Sequence, residues 1–187
     1  MNKDELRREL AGRRGAIFDR AALDARIVEH ILALAAYGEA KSVMAYAAIR
    51  SEPSLSSLFA ACFAAGKRLA LPVIRGGDMV AREYEPGSAL ERGAFRVLEP
   101  RGVLVLPGEI ELILCPGLGF GLDGARIGYG KGYYDRFLPQ TKGLRVGVCY
   151  GACLLGAGEI PQTDWDGPMD YLLTEEGANP RAERKQL

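Results

Sequence analysis

The spacing of apolar positions near the N-terminus has the period of an amphipathic helix. Apolar side chains recur there every three or four residues, with charged residues between them. A first helix is predicted over residues 2–16, where Leu6 and Leu10 share one stripe. A second is predicted over residues 19–36, because Gly38 lies just beyond the last periodic position. The chain therefore begins with two helices.

After residue 40, short apolar runs alternate with a helical segment. Strands are predicted at residues 42–48, 67–74, 79–86, 111–117, 145–150 and 170–174, and a helix at 54–65. Residues 87–102 are interpreted as a long connection with little regular structure, and the polar tail after residue 177 as loose. The alternation predicts an α/β fold: a Rossmann-like, three-layer α/β/α sandwich with a mostly parallel central sheet.

Length and charge narrow the class of protein. The chain has 187 residues, enough for one domain with a sizeable core, so a single domain over residues 1–187 is expected. Its 24 basic and 24 acidic residues give no net charge, which argues against nucleic acid and acidic membranes as partners. The N-terminus lacks a signal-peptide pattern, and no apolar run is long enough to span a bilayer. A cytoplasmic location is expected.

Histidine and cysteine usage excludes several chemistries. His30 is the one histidine, which rules out a multi-histidine metal centre and leaves Ser-His or Cys-His catalysis without a second candidate base. Cys62, Cys115, Cys149 and Cys153 lie in apolar surroundings without CxxC spacing, so reduced core thiols are expected; the alternative is a regulatory pair of Cys149 and Cys153. Catalysis should therefore depend on carboxylates, cations, backbone amides or a divalent ion.

The segment GARIGYGKGYYDRFLP, residues 124–139, has three glycines at alternate positions. It matches neither the GxGxxG dinucleotide motif nor the P-loop, and a GxGxG spacing alone is compatible with an ordinary turn. It follows the predicted strand at 111–117, and ligands of open parallel sheets bind at the carboxyl ends of strands. Arg126 and Lys131 could neutralise phosphate oxygens there. We interpret this loop as a candidate anion site.

Acidic residues near this loop leave two readings open. Asp135 could bind a Mg²⁺ ion that bridges it to phosphates, or it could pair with Arg126 or Arg136. The segment 161–170 contains three further aspartates that could supply a second metal ligand or cap local turns. Tyr133 and Tyr134 could stack on a planar ligand, although core packing is expected for one of them.

Taken together, these residues resemble the 5-formyltetrahydrofolate cyclo-ligase family, also called methenyltetrahydrofolate synthetases. RIGYGKGYYD is similar to the family signature R-[LI]-G-x-G-[GK]-G-[YF]-[YF]-D. KDELR, AAIRSEPS, FRVLEP, LILCPGLGF and DWDGPMDYLLTE resemble further family segments in the same order. The resemblance covers most of the chain.

The resemblance implies an enzyme that uses ATP and Mg²⁺ to convert 5-formyltetrahydrofolate to 5,10-methenyltetrahydrofolate. It implies that Arg126 and Lys131 are catalytic, and that Glu52, Phe95, Tyr129 and Tyr133 contact the reduced folate. Asp135 and Asp166 match its Mg²⁺ ligands. The residues that match its ATP site are Lys3, Arg7, Arg126, Ile127, Gly128, Tyr129, Gly130, Lys131, Gly132, Tyr133 and Tyr134.

Two departures from the family pattern concern the folate half of the site. Trp165 stands where the family often has His, and the segment 150–160 lacks a frequent Gln. Alternative functions are therefore a diverged relative that binds reduced folate without efficient turnover, and an ATP-dependent kinase or ligase for another small molecule. A monomer is expected, with a dimer as the alternative.

Overall fold

The computed structural model describes residues 2–88, 90–93, 98–162 and 167–180. Its α-helices are α1 (Lys3–Gly15), α2 (Arg20–Ala33), α3 (Ala35–Glu39), α4 (Ser56–Ala64) and α5 (Tyr133–Phe137). Its strands are β1 (Ser42–Met44), β2 (Arg68–Arg75), β3 (Asp78–Glu83), β4 (Leu90–Arg92), β5 (Leu98–Pro100), β6 (Leu104–Val105), β7 (Leu112–Pro116), β8 (Gly119–Gly121), β9 (Arg126–Ile127), β10 (Leu144–Val148), β11 (Leu154–Leu155), β12 (Tyr171–Thr174) and β13 (Gly177–Pro180). Within these ranges, no helix has the length and apolar character needed to cross a bilayer.

The central sheet is mostly parallel, as predicted. Its strand order across the described residues is β13-β12-β10-β7-β1-β2-β3-β6. Strand β1 pairs in parallel with β2 and β7, and β10 pairs in parallel with β7 and β12. Strands β3, β6 and β13 add antiparallel pairs towards the two edges. The predicted βαβ unit is confirmed as β1, α4 and β2.

Helices cover both faces of this sheet. Successive residues of a strand point to opposite faces, and the core divides accordingly. Val43 and Ala45 belong to a buried cluster that contains residues of α2 and α4, whereas Met44 belongs to a second cluster that contains residues of α1 and α5. A small sheet, β11-β8-β9, contributes to this second cluster. The predicted three-layer α/β/α fold is confirmed.

Four predictions about local structure were wrong. Residues 87–102 include β4 and β5, which pair as an antiparallel hairpin, and β13 extends the sheet where a loose tail was expected. These strands have at most four residues, too few for a period to show, and they depend on pairing with neighbours. The second predicted helix ends at Ala33, because Leu34 has an extended backbone with ψ 129°. Strand β1 ends at Met44 rather than at residue 48.

The sheet order creates a crevice between β1 and β7. The chain leaves β1 towards α4, on one face of the sheet, and leaves β7 towards α5, on the other face. Two neighbouring strands with connections to opposite faces form a topological switch point, where open α/β sheets bind ligands beyond the carboxyl ends of the strands.

Candidate functional site

A groove of about 880 Å³ lies at this switch point. Its wall is formed by the segment 46–52 after β1, by the ends of β2 and β7, by the start of α1 and by the loop 126–135. Every described residue that the sequence assigned to the site lies on this wall: Lys3, Arg7, Glu52, Arg126, Ile127, Gly128, Tyr129, Gly130, Lys131, Gly132, Tyr133, Tyr134 and Asp135. Phe95 and Asp166 lie outside the described residues. Segments far apart in sequence thus meet in one groove.

A capping box fixes the start of α1 beside the groove. The Oδ1 of Asn2 accepts hydrogen bonds from the backbone N–H groups of Asp4 at 3.0 Å and Glu5 at 2.9 Å. The Glu5 carboxylate in turn accepts from the backbone N–H of Asn2 at 3.0 Å. Residues four apart lie on the same side of a helix, so Lys3 and Arg7 both reach the groove wall. The charged side of the first predicted helix is therefore part of the site.

The glycine loop packs closely against α1. Gly130 and Gly132 have φ values of +85° and +69°, in the left-handed region that favours glycine. The Nε of Arg7 donates to the carbonyl oxygen of Gly128 at 3.0 Å. A Cβ atom on Gly130 would lie only 3.2 Å from the Arg7 guanidinium. The alternate glycines therefore provide both the turn and the room for this cation.

Arg126 and Asp135 form an ion pair on the groove wall. The Nη2 of Arg126 donates to the Oδ1 of Asp135 at 2.5 Å. The Arg126 side chain is 9% exposed and its guanidinium lies 5.1 Å from the ring centroid of Tyr134, whereas Asp135 is 38% exposed. The structure therefore shows Asp135 in contact with Arg126, and this contact does not decide between the two readings that the sequence left open.

The donor set near Asp135 is compatible with Mg²⁺. Among the described residues, no group of three or more His, Cys, Asp or Glu side chains could hold a metal ion. Mg²⁺ is commonly bound by one or two carboxylates together with substrate phosphates rather than by a full protein cage. A single partly exposed carboxylate beside a basic groove fits that mode, so Mg²⁺ binding at Asp135 and Asp166 stays a prediction.

Arg14 is a buried cation that the sequence reasoning missed. It is 1% exposed, and its guanidinium donates to Ser51 Oγ at 3.0 Å, to the Gly117 carbonyl oxygen at 2.9 Å and to the Tyr129 hydroxyl at 2.5 Å. These three partners belong to the segment after β1, the turn after β7 and the glycine loop. Arg14 therefore ties together three walls of the groove from the end of α1.

Glu52 is a buried carboxylate near Tyr129. It is 7% exposed, and its Oε2 accepts a hydrogen bond from the backbone N–H of Ile49 at 3.0 Å. Burial raises the pKa of the Glu52 carboxyl, while the Ile49 N–H, Arg14, the Tyr129 hydroxyl and Arg50 act in the opposite direction. Burial and the nearby Glu52 charge raise the pKa of Tyr129, and Arg14 lowers it by less, so the pKa of Tyr129 stays above its usual value. The Glu52 carboxyl and the Tyr129 hydroxyl therefore lie near each other on one wall of the groove.

Tyr134 and Glu99 add further buried polar groups. The Tyr134 hydroxyl is buried and has no hydrogen-bond partner within the described part of the chain, although its ring lines the groove. Burial raises the pKa of Tyr134 well above its usual value. Glu99 is 3% exposed, accepts from the Ile74 N–H at 3.2 Å and lies 3.8 Å from Arg75. Both Tyr133 and Tyr134 pack against the core, where core packing was expected for one.

Three residues in or beside the groove that the sequence reasoning missed differ in how clearly the sequence indicated them. Arg14 continues the stripe of Leu6 and Leu10 at a spacing of four, so its position alone indicated burial. Glu99 belongs to FRVLEP, which carried the family resemblance without an assigned role. Arg50, which also lines the groove, lies in AAIRSEPS and follows no period. A charged residue on an apolar stripe was therefore the one usable signal.

His30 and the cysteines play no part in the groove. The His30 ring lies on α2, with Nε2 3.2 Å from the carbonyl oxygen of Glu175. The four cysteines are free and buried, so the prediction of reduced core thiols is confirmed. Burial raises the pKa of the Cys115 thiol to about 12, which makes it an unreactive core residue.

Known proteins with similar sequences and folds point to one family. The sequence profile of the 5-formyltetrahydrofolate cyclo-ligase family matches residues 1–175. The solution structure of Aquifex aeolicus 5,10-methenyltetrahydrofolate synthetase is 34% identical, superposes with a TM-score of 0.87 and covers 100% of this chain and 96% of its own.

Curated relatives agree with that structure. The probable 5-formyltetrahydrofolate cyclo-ligase of Schizosaccharomyces pombe is 25% identical over 94% of this chain and 96% of the relative. The 5-formyltetrahydrofolate cyclo-ligase of Escherichia coli is 28% identical over 72% and 78%. The similarity to the yeast protein therefore extends over nearly the whole of both chains.

Proposed function

The chain belongs to the 5-formyltetrahydrofolate cyclo-ligase family, which consists of ATP-dependent ligases, and we propose that it makes 5,10-methenyltetrahydrofolate from 5-formyltetrahydrofolate and ATP. The observation that carries the proposal is the meeting of four cations, Lys3, Arg7, Arg126 and Lys131, with the buried carboxylate of Glu52 in one groove. In such a groove the cations can bind a triphosphate, and the carboxylate can bind a nitrogen-rich ring system.

The nucleotide half is proposed to use the cations of α1 and of the glycine loop. A triphosphate carries several negative charges, and cations placed around it lower the energy of both binding and phosphoryl transfer. Lys3 and Arg7 approach from one side, and Arg126 and Lys131 from the loop. The loop backbone from Ile127 to Tyr134 would supply the remaining contacts, since its glycines allow a phosphate to come close.

The folate half is proposed to centre on Glu52. Its carboxylate accepts hydrogen bonds and is buried, so it suits the N–H groups along the edge of a pterin ring. The rings of Tyr129 and Tyr133 line the same groove and can pack on the flat parts of the folate. Phe95 is proposed as a further aromatic contact on the basis of the family pattern.

The reaction proposed for this site has two bond-forming steps. The oxygen of the N5-formyl group attacks the γ-phosphorus of ATP, and ADP leaves. N10 then attacks the formyl carbon, phosphate departs with the former formyl oxygen, and N10 loses its proton to water. Arg126 and Lys131 would stabilise the charge that develops on the transferred phosphoryl group. Neither step needs a strong base, which suits a groove without histidine.

Asp135 and Asp166 are proposed as the protein ligands of Mg²⁺. Bound Mg²⁺ supplies charge neutralisation on the phosphate oxygens. Asp135 would then exchange part of its contact with Arg126 for the ion, which would leave the Arg126 guanidinium available to phosphate. The observed ion pair would thus hold the Arg126 and Asp135 side chains in place before the substrates bind.

The test is a spectrophotometric assay of the purified protein. We expect the near-ultraviolet absorbance of the methenyl product to rise when 5-formyltetrahydrofolate, ATP and Mg²⁺ are all present, and to stay flat when any one is omitted. ATP binding without product would contradict the proposal and favour a kinase or ligase for another small molecule. Stoichiometric folate binding without ATP turnover would contradict it in favour of a folate-binding protein.

A further inference from the structure

The backbone at Arg50 is strained. Among the described residues, Arg50 and Asp19 are the non-glycine residues with positive φ, at 55° and 50°. This left-handed region is unfavourable for side chains with a Cβ atom, and Asn, Asp and His tolerate it better than Arg. Asp19 stands at the start of α2 and follows that preference, whereas Arg50 does not. Strain of this kind persists where the surrounding structure imposes it, often in binding sites.

The strained backbone presents a cation to the groove. The guanidinium carbon of Arg50 lies 4.8 Å from the ring centroid of Tyr129, close enough for a cation–π contact. Arg50 lines the groove and is exposed. In the described part of the chain, no carboxylate lies within ion-pair distance of its guanidinium. Arg50 therefore differs from Arg126, whose charge is already paired with Asp135.

The stacking partner links Arg50 to the glycine loop. Tyr129 stands between Gly128, whose carbonyl oxygen accepts a hydrogen bond from Arg7, and Gly130, and the Tyr129 hydroxyl accepts a hydrogen bond from Arg14. The contact with the Tyr129 ring thus places the Arg50 guanidinium beside the loop proposed to bind phosphate. The planar guanidinium suits a phosphoryl or carboxylate group, because it can donate two parallel hydrogen bonds to either.

We propose that Arg50 is an anion-binding residue of this groove, which holds a phosphoryl oxygen of the nucleotide or a carboxylate of the folate against Tyr129. The proposal rests on the function proposed above and adds a residue to it. Both ligands present the same oxyanion chemistry. The test must therefore separate the nucleotide from the folate as the source of the anion.

The first variant, Arg50→Gly, removes both the cation and the strain, and Asp19→Gly is its matched control away from the groove. Each replaces a left-handed residue by glycine, which relieves the strain but gives the unfolded chain more freedom, so each should unfold within about 2–4 °C of the wild type. The Asp19 side chain makes no capping hydrogen bond to α2 that glycine would lose. Arg50→Ala lacks the same guanidinium but keeps the Cβ atom, so an Arg50→Gly protein no more stable than Arg50→Ala would overturn the strain on which the proposal rests.

Binding is measured in the same unfolding experiment, without turnover. Tripolyphosphate and 5-formyltetrahydrofolate are each added to the wild type, Arg50→Gly, Arg50→Lys and Asp19→Gly. We expect Arg50→Gly to bind one of the two ligands roughly tenfold more weakly, with Arg50→Lys intermediate and Asp19→Gly equal to the wild type. Weaker binding of tripolyphosphate assigns Arg50 to phosphate, and weaker binding of folate assigns it to a carboxylate.

The outcomes separate this inference from the proposed function. If the wild type binds both ligands and Arg50→Gly binds them equally well, the inference is wrong while the proposed function stands. If the wild type forms no methenyl product but Arg50→Gly still loses affinity for tripolyphosphate, the proposed reaction is wrong while anion binding by Arg50 stands. A wild type that binds neither ligand would contradict both.

Discussion

The Arg126 guanidinium and the Asp135 carboxylate bind each other at 2.5 Å on the wall of the groove. The cation that the sequence assigned to phosphate and the anion that it assigned to metal therefore neutralise one another. Charges held in this way are poised for exchange, because phosphate competes for Arg126 and a divalent ion competes for Asp135.

Asp135→Asn should raise the Mg²⁺ concentration needed for half-maximal activity by roughly tenfold or more, because an amide oxygen lacks the charge of a carboxylate. The measurement is the rate of methenyl formation against Mg²⁺ concentration at saturating ATP and folate. Asp78→Asn is the control, since Asp78 pairs with Arg136 and is not part of the groove wall. An unchanged Mg²⁺ curve for Asp135→Asn would remove Asp135 from the metal site.

Lys131→Ala should raise the KM for ATP by about 10-fold or more and leave the KM for folate nearly unchanged, because it removes one charged hydrogen-bond donor to phosphate. Lys142→Ala is the matched control: Lys142 is an exposed lysine away from the groove. The measurement is a pair of initial-rate series in which ATP and folate are varied separately. Equal kinetics of the two variants would contradict the assignment of Lys131.

Arg14→Met should lower the free energy of unfolding by about 3 kcal/mol, because the buried Gly117 carbonyl and the Tyr129 hydroxyl lose their charged donor. Arg13→Met is the neighbouring control. Arg13 pairs with Glu9 on the exposed side of the same helix, so its loss should change stability by about 0.5 kcal/mol or less. Urea unfolding of both variants is the measurement, and similar losses would contradict the role of Arg14.

The contribution of Glu52 to the stability of the protein should fall as pH rises from the ordinary pKa of a glutamate to the raised pKa of Glu52. Within this window the folded protein holds a proton on Glu52 and the unfolded chain does not, so deprotonation favours unfolding. Glu52→Gln removes this effect and should be more stable than the wild type at neutral pH, with a smaller difference in acid. The measurement is thermal unfolding against pH for both proteins.

The same substitution should weaken the folate site. An amide accepts a hydrogen bond less strongly than a carboxylate, so the KM for 5-formyltetrahydrofolate should rise by about tenfold. Higher stability with weaker folate binding would identify Glu52 as a residue kept for function at a cost in stability. A Glu52→Gln protein that is less stable than the wild type at neutral pH would contradict the sign of the pKa shift.

Long apolar runs predicted the sheet well. The segments at β2, β7 and β10 are buried on both faces, and continuous runs of apolar residues reveal such strands directly. The helices α1 and α4 also matched their periods. The short strands β4 and β5 were not predicted, because they depend on pairing with each other and their sequences carry no detectable alternation. Local pattern therefore identified the layers but not the hairpin at their edge.

The residues that line the groove could be predicted from the sequence better than the contacts between them. The glycine spacing, the basic residues and the family resemblance located the loop and the start of α1. The sequence left open whether Asp135 pairs with Arg126 or with Arg136, because a sequence does not show which opposite charge lies nearest. Arg14 and Arg50 escaped notice, since both contact Tyr129, which the fold brings to them from a distant segment.

The central claim is that this groove joins ATP to the formyl oxygen of a reduced folate. The most direct test supplies 5-formyltetrahydrofolate labelled with ¹⁸O in the formyl group and measures the mass of the phosphate released. We predict one ¹⁸O atom in each phosphate, formed together with the methenyl product, because the formyl oxygen leaves on phosphorus. Unlabelled phosphate would mean that water attacked ATP, and it would contradict the account.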